Sequence, residues 1–164
     1  MSVIVTYQAK VSVAETLEAN VPATPSASRS VVHSAWDSTK TLKNDSTPPA
    51  TKVAAFEQAL TAGVATIDLT SLLGTNGAEV DGTGLRVQVL RLRAPATNGN
   101  PIVISVGASN GYDGFGDDFA LALAPGAEAL LFSKDAGSDI SGSHKTLDLA
   151  GTEVQVLQVE VVLG

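Results

Sequence analysis

The feature that most constrains this chain is alternation. Apolar and polar residues exchange places at each step through short, β-branched segments separated by clusters of Gly, Pro, Asn and Asp, and no stretch of ten residues favours the helical period over the strand period. The first segment is the clearest. Val3, Val5, Tyr7, Ala9, Val11 and Val13 fall on one face and Thr6, Gln8, Lys10 and Ser12 on the other, the pattern of a strand with one buried side. Further strands are expected at 29–36, 52–60, 63–69, 85–93, 101–106, 118–123, 127–133 and 153–163. Such a series predicts an all-β fold, an antiparallel β-sandwich of about 8 to 10 strands in a single domain.

The linkers carry their own chemistry. Asp81-Gly82-Thr83-Gly84 and Asn98-Gly99-Asn100-Pro101 are expected to supply the positive-φ residues of hairpin or corner turns. Residues 20–51 differ from the rest. They are rich in Pro, Ser and Thr, with Arg29, Lys40 and Lys43 set against Asp37 and Asp45, and only the run 30–36 reads as strand. An excursion of this length is uncommon inside a compact domain. It is either a surface loop holding one strand or an arm or latch that packs on a neighbouring subunit.

An internal echo runs through the second half. Thr66-Ile67-Asp68-Leu69 matches Thr146-Leu147-Asp148-Leu149, and each is followed by a similar strand, Val87–Leu92 or Val154–Val159. The echo predicts equivalent hairpins in two halves of a sandwich. Both following strands change phase: Val87 and Val89 give way to Leu90 and Leu92, as Val154 and Val156 give way to Leu157, Val159 and Val161. A one-residue slip moves side chains to the other face, so each strand either carries a bulge or is covered on both sides.

Charge and composition exclude several functions. Ten Lys and Arg against seventeen Asp and Glu give a net charge of −7, which opposes nucleic acid, because phosphate binding needs a basic surface. The absence of cysteine removes thiolate metal sites, redox pairs and cysteine nucleophiles. The N-terminal residues lack the basic and apolar regions of a secretion signal, and no apolar run is long enough to span a membrane. The expectation is a soluble protein that stays where it is made, with no cofactor and no resident metal.

Individual motifs are weak. Gly107-Ala108-Ser109-Asn110-Gly111 fits the Gly-x-Ser-x-Gly nucleophile elbow and follows a predicted strand, but the next residues are too rich in glycine for the helix that motif requires. A base could come only from His33 or His144, and no βαβ pattern places them. The corner reading, with glycines at positive φ, accounts for the same residues. Asn110, Asp113, Asp117 and Asp118 offer oxygens to a hard cation, as do Asp135, Ser138 and Asp139; both groups also read as solvated turns. Tyr112, Phe115 and Phe119 are expected to pack beneath the Gly-rich loop. Trp36, the only tryptophan, suits core, interface or ligand stacking. Arg86, Arg91 and Arg93 are expected on one strand near its end, where guanidinium groups pair either with carboxylates of a partner chain or with the protein's own Asp and Glu.

The stretch Leu60–Gly164 resembles small virion proteins of tailed bacteriophages, in particular the jelly-roll decoration or cement proteins of heads. The residues that carry the resemblance are Leu60-Thr61-Ala62-Gly63-Val64-Ala65-Thr66-Ile67-Asp68-Leu69, Gly84-Leu85-Arg86-Val87-Gln88, the Asn98–Ser105 hairpin and the Leu123-Ala124-Pro125-Gly126-Ala127 turn. The resemblance implies a jelly-roll-like sandwich, made in the host cytoplasm, that acts without catalysis as a homotrimer on the capsid exterior and bridges major capsid subunits. Related small domains occur in tail and fibre proteins, which keeps a glycan- or receptor-binding module as the alternative. The residues expected at an interface are Trp36, Lys40, Lys43, Arg86, Arg91 and Arg93.

Overall fold

The structure, a computed structural model, describes residues 3–17, 29–32, 36–132 and 138–164. The chain divides into two compact units, Thr6–Thr41 and the remainder, Met1–Val5 with Leu42–Gly164. The described residues form fourteen strands: β1 (Ile4–Val11), β2 (Ala14–Leu17), β3 (Arg29–Val32), β4 (Trp36–Lys43), β5 (Lys52–Ala59), β6 (Val64–Asp68), β7 (Leu72–Leu73), β8 (Glu79–Val80), β9 (Val87–Arg93), β10 (Ile102–Val106), β11 (Ala120–Leu123), β12 (Glu128–Phe132), β13 (Thr146–Ala150) and β14 (Val156–Leu163).

The larger unit is an antiparallel jelly roll. One four-stranded sheet has the order β12-β9-β14-β5 and the other β11-β10-β13-β6. Of the eight strands in chain order, the first sheet takes the sixth, third, eighth and first, and the second takes the fifth, fourth, seventh and second. Successive strands thus pass from sheet to sheet except at the β10–β11 hairpin, and the last pairs with the first, as two Greek keys wound together require. The short β7–β8 ribbon occupies the longer loop of the echo. The strands beyond the expected count belong to such two-stranded ribbons, together with β13, whose Thr-Leu-Asp-Leu stands out in the sequence only as an echo.

The alternation assigns the two faces of each sheet. Ala54 and Phe56 of β5, Leu157, Val159, Val161 and Leu163 of β14, and Val87, Leu90 and Leu92 of β9 meet Ile67, Ile102, Ile104, Leu123, Leu147 and Leu149 of the other sheet in one cluster. Tyr112 closes one part of this core, only 1% exposed, with its hydroxyl accepting the Val87 N–H at 3.0 Å. Phe115 stands edge-on to Tyr112 at 6.1 Å and Phe119 lies 5.3 Å from Phe115, so these three rings do pack beneath the Gly-rich loop.

The phase change in β9 is a bulge. Val162 pairs with Val89 and Leu163 with Val87, which leaves Gln88 as the extra residue and lets Val87 and Leu90 both face the core. Both faces of the strand are also covered at this point, because Val89 and its neighbour Val162 are buried yet stand outside the inter-sheet cluster. In β14 the cause differs: Val154 is 81% exposed in the loop before the strand begins.

The echo is a feature of topology and does not mark hairpins. Its two Thr-x-Asp-Leu copies are β6 and β13, adjacent and antiparallel with Thr66 opposite Asp148 and Asp68 opposite Thr146. Each copy then crosses to the other sheet, where β9 and β14 are again neighbours. The Asn98–Pro101 turn likewise links β9 and β10 of different sheets. It holds its place because the Asn98 amide donates to the Val156 carbonyl and accepts the Val156 N–H. Of the residues expected at positive φ in the two linkers, only Gly84 has it.

The smaller unit is built on two two-stranded sheets, β1 with β4 and β2 with β3. β4, with the polar sequence Trp-Asp-Ser-Thr-Lys-Thr-Leu-Lys, lies inside the expected 20–51 excursion. Its lack of apolar alternation hid it. Residues 20–28 and 33–35 of that excursion, His33 among them, lie outside the described residues.

Candidate functional site

The outer faces of the two sheets carry contrasting chemistry. On the β12-β9-β14-β5 sheet, register sets Ala55, Glu160, Arg91 and Leu130 in one row and Glu57, Gln158, Arg93 and Glu128 in the next. Arg91 donates to Glu160 at 2.9 Å and to Glu128 at 3.0 Å. Those carboxylates push its guanidinium further above its usual range, Glu128 contributing most. Arg93 reaches Gln158 at 3.5 Å, and Gln158 donates to Glu57 at 2.9 Å. A groove of about 380 Å3 opens here, lined by Ala55, Glu57, Arg91, Arg93, Gln158 and Glu160 among others.

On the β11-β10-β13-β6 sheet the outward row is Ala122, Val103, Ala150 and Val64, followed by Ala120, Ser105, Asp148 and Thr66. The first row is exposed along its length, Val64 to 62%. Asp148, the charge in these two rows, is engaged: it accepts the Thr66 hydroxyl and the Ala108 N–H, each at 2.8 Å. At the end of the sheet Lys145 and Asp68 pair at 2.6 Å. Burial by itself would raise the Asp68 carboxyl, but the Lys145 ammonium and the two Thr70 donors outweigh it and hold the group below its ordinary value. This face carries few charges, each of them engaged, and is built of small side chains. The sequence held its signal in β10, where Val103 stands between Ile102 and Ile104 and makes both phases apolar.

The nucleophile-elbow motif is a corner. Asn110 takes positive φ there, and Gly107 and Gly111 do not. Those glycines answer a different need, close approach. A side chain at Gly107 would fall inside Thr146, and one at Gly111 would strike the Gly107 carbonyl and Val106. The Ser109 carbonyl accepts the Thr146 hydroxyl at 2.6 Å, and His144 Nδ1 lies 3.6 Å from Asp113 Oδ2. Among the described residues no three His, Asp or Glu side chains gather in a metal-binding cluster. Asp135 lies outside the described residues.

The expected interface residues are dispersed. Arg86 lies just before β9 and not on the strand with the other two, and pairs with Asp139 at 2.6 Å; Arg91 and Arg93 share the charged face just described. Lys40 and Lys43 are exposed on β4. Trp36 opens β4, and its side chain lies outside the described residues. Among the described residues no helix is long and apolar enough to cross a membrane. Comparison of the chain with protein-family models, curated proteins and solved structures finds no match in any of the three.

Proposed function

We propose that this chain is a capsid decoration, or cement, protein of a tailed-bacteriophage head: a non-enzymatic homotrimer on the capsid exterior that bridges neighbouring major capsid subunits. The observation that carries the reading is the exposed row Ala122, Val103, Ala150 and Val64 on one side of a jelly roll, in a chain whose other sheet face bears interlocked charges. Exposed apolar rows with few unpaired charges suit burial against a protein surface. The jelly-roll topology agrees with the virion-protein resemblance of Leu60–Gly164. A protein that binds assembled subunits and not free ones stabilises the shell by mass action, and many copies multiply individually weak contacts.

The test is rebinding. Purified protein is expected to bind stripped capsids and raise their melting temperature while ignoring unassembled capsid subunits, and Val64→Asp with Val103→Asp is expected to abolish that binding. Equal binding to free subunits, or no binding to either, overturns the reading.

The groove on the opposite face favours a second reading, a tail or fibre module that recognises a glycan, since Arg93, Glu57 and Gln158 offer donors and acceptors suited to hydroxyl groups. A saccharide ligand lost on Arg93→Ala, in a protein that does not bind capsids, would replace the first reading with this one.

A further inference from the structure

The sequence holds three Asn-Gly pairs, Asn76-Gly77, Asn98-Gly99 and Asn110-Gly111, and the fold treats them differently. An asparagine before glycine is open to attack on its side-chain amide by the next backbone nitrogen, because glycine puts no Cβ in the way. Whether the attack occurs depends on the freedom of the side chain and of the peptide plane that follows it. Asn98 has neither: it is 9% exposed, and its amide both donates to and accepts from the Val156 backbone. Asn110 is exposed, but its carbonyl accepts the Lys145 and Thr146 N–H groups at 2.7 and 3.0 Å, and Gly111 is hemmed in by the Gly107 carbonyl and Val106. That peptide plane is therefore fixed by the residues that open β13.

Asn76 differs from both. It lies at the tip of the β7–β8 ribbon, exposed together with Thr75, Gly77 and Ala78, and a Cβ at Gly77 would meet nothing within 4 Å. The turn is held only locally. The Gly77 N–H donates to the Gly74 carbonyl and the Gly74 N–H to the Ala78 carbonyl, each at 2.9 Å, while Asn76 Oδ1 accepts the Ala78 N–H at 3.1 Å. Each strand of the ribbon has 2 residues, and so short a hairpin opens readily in water. We propose that Asn76 is a site of spontaneous deamidation. The Gly77 nitrogen, giving up its proton to base, bonds to the Asn76 side-chain carbonyl carbon, and the amide nitrogen departs as ammonia. Water then opens the cyclic imide at either carbonyl, leaving aspartate or isoaspartate with no change of oxidation state. The product adds a negative charge to the turn that leads into Glu79. Isoaspartate also routes the backbone through Cβ, which lengthens the turn and releases the bonds that close it. None of this depends on what the chain binds.

Ageing the full-length protein in warm, mildly alkaline buffer and mapping its peptides by mass tests the assignment. The peptide holding Asn76 is expected to gain the mass of an amide-to-acid exchange several-fold faster than the one holding Asn110, with the Asn98 peptide unchanged over the same time. In urea the three sites are expected to converge, positions 98 and 110 accelerating most. Gly77→Ala, whose methyl hinders ring closure, should slow the reaction several-fold. Alanine also strains a turn in which Gly77 has a φ of 77°, so the wild-type ranking decides if that variant misfolds. The aged protein should keep the thermal transition of the jelly roll while hydrogen exchange at the Gly74 and Gly77 amides quickens. Asn98 or Asn110 reacting as fast as Asn76 in the folded chain, Asn76 reacting only in urea, or unaltered exchange at Gly74 and Gly77 in isoaspartate-bearing chains overturns the proposal.

Discussion

Thr66 and Asp148 face each other across β6 and β13, separated by 82 residues in sequence, and the threonine hydroxyl donates to the carboxylate at 2.8 Å. The second oxygen of Asp148 takes the Ala108 N–H, so one exposed carboxylate ties an edge strand of the sheet to the corner at 107–111. Thr66→Val keeps the β-branched shape and removes the donor. It is expected to cost about 0.5–1.5 kcal/mol. Asp148→Ala, which loses both bonds, should cost more, and a double-mutant cycle in urea that finds no coupling between the two positions would refute the linkage.

Lys145 and Asp68 give the fold a defined pH dependence. A carboxyl held below its ordinary value stabilises the folded chain above that ordinary value, and the contribution is lost as the pH falls through the lowered folded one. Because the two side chains are 27% and 35% exposed, solvent screening limits the effect to about 1 kcal/mol. Wild type is therefore expected to melt about 2–4 °C above Asp68→Asn at pH 6, with the gap closing toward pH 3. A gap that widens on acidification would contradict the assignment.

Tyr112 holds the Val87 N–H beside the bulge in β9. Removing the hydroxyl with Tyr112→Phe leaves that buried donor without a partner and should destabilise by about 1–3 kcal/mol. Denaturant unfolding measures the loss, and a variant as stable as wild type would show that the bond contributes nothing.

The corner at 107–111 separates steric need from chemical need. Ser109→Ala is expected to shift stability by less than about 0.5 kcal/mol, as for an exposed side chain. Gly111→Ala should cost more than about 2 kcal/mol, because the new methyl overlaps backbone that is fixed by β13. The reverse order in thermal melts would mean that the serine, and not the close approach, shapes the loop.

One substitution is expected to improve the protein. Thr61 and Val64 exchange both backbone hydrogen bonds around Ala62 and Gly63, whose φ angles are 51° and 81°. That is the two-residue turn in which Asn-Gly is favoured, and alanine is strained in it. Ala62→Asn is expected to raise stability by about 0.5–1 kcal/mol, read as a higher melting temperature; an unchanged or lower value would refute the strain.

Much of the fold was legible residue by residue. Strands β5, β6, β9, β10, β11 and β12 fall where alternation and turn residues set them, because each strand's pleat sends side chains to opposite sides whatever it pairs with. β4 was not legible, since its polar residues give no period to read. The candidate faces were half legible. The arginines drew notice as charges, but only the register placed Arg91 between Glu160 and Glu128 and ranged Val64, Val103, Ala122 and Ala150 in one row.

Alternation and composition by themselves therefore determined an all-β chain with a charge-poor core and a net charge of −7. Tertiary structure decided which strands became neighbours, where Gln88 would be squeezed out of register, and why Gly107 and Gly111 must lack side chains. The physical reason is that pleating and turn preferences act within a few residues. Backbone hydrogen bonds, by contrast, are nearly the same for any pair of strands. The choice of β14 as partner for β5, roughly a hundred residues away, is made by how the inward side chains fill the space between two sheets.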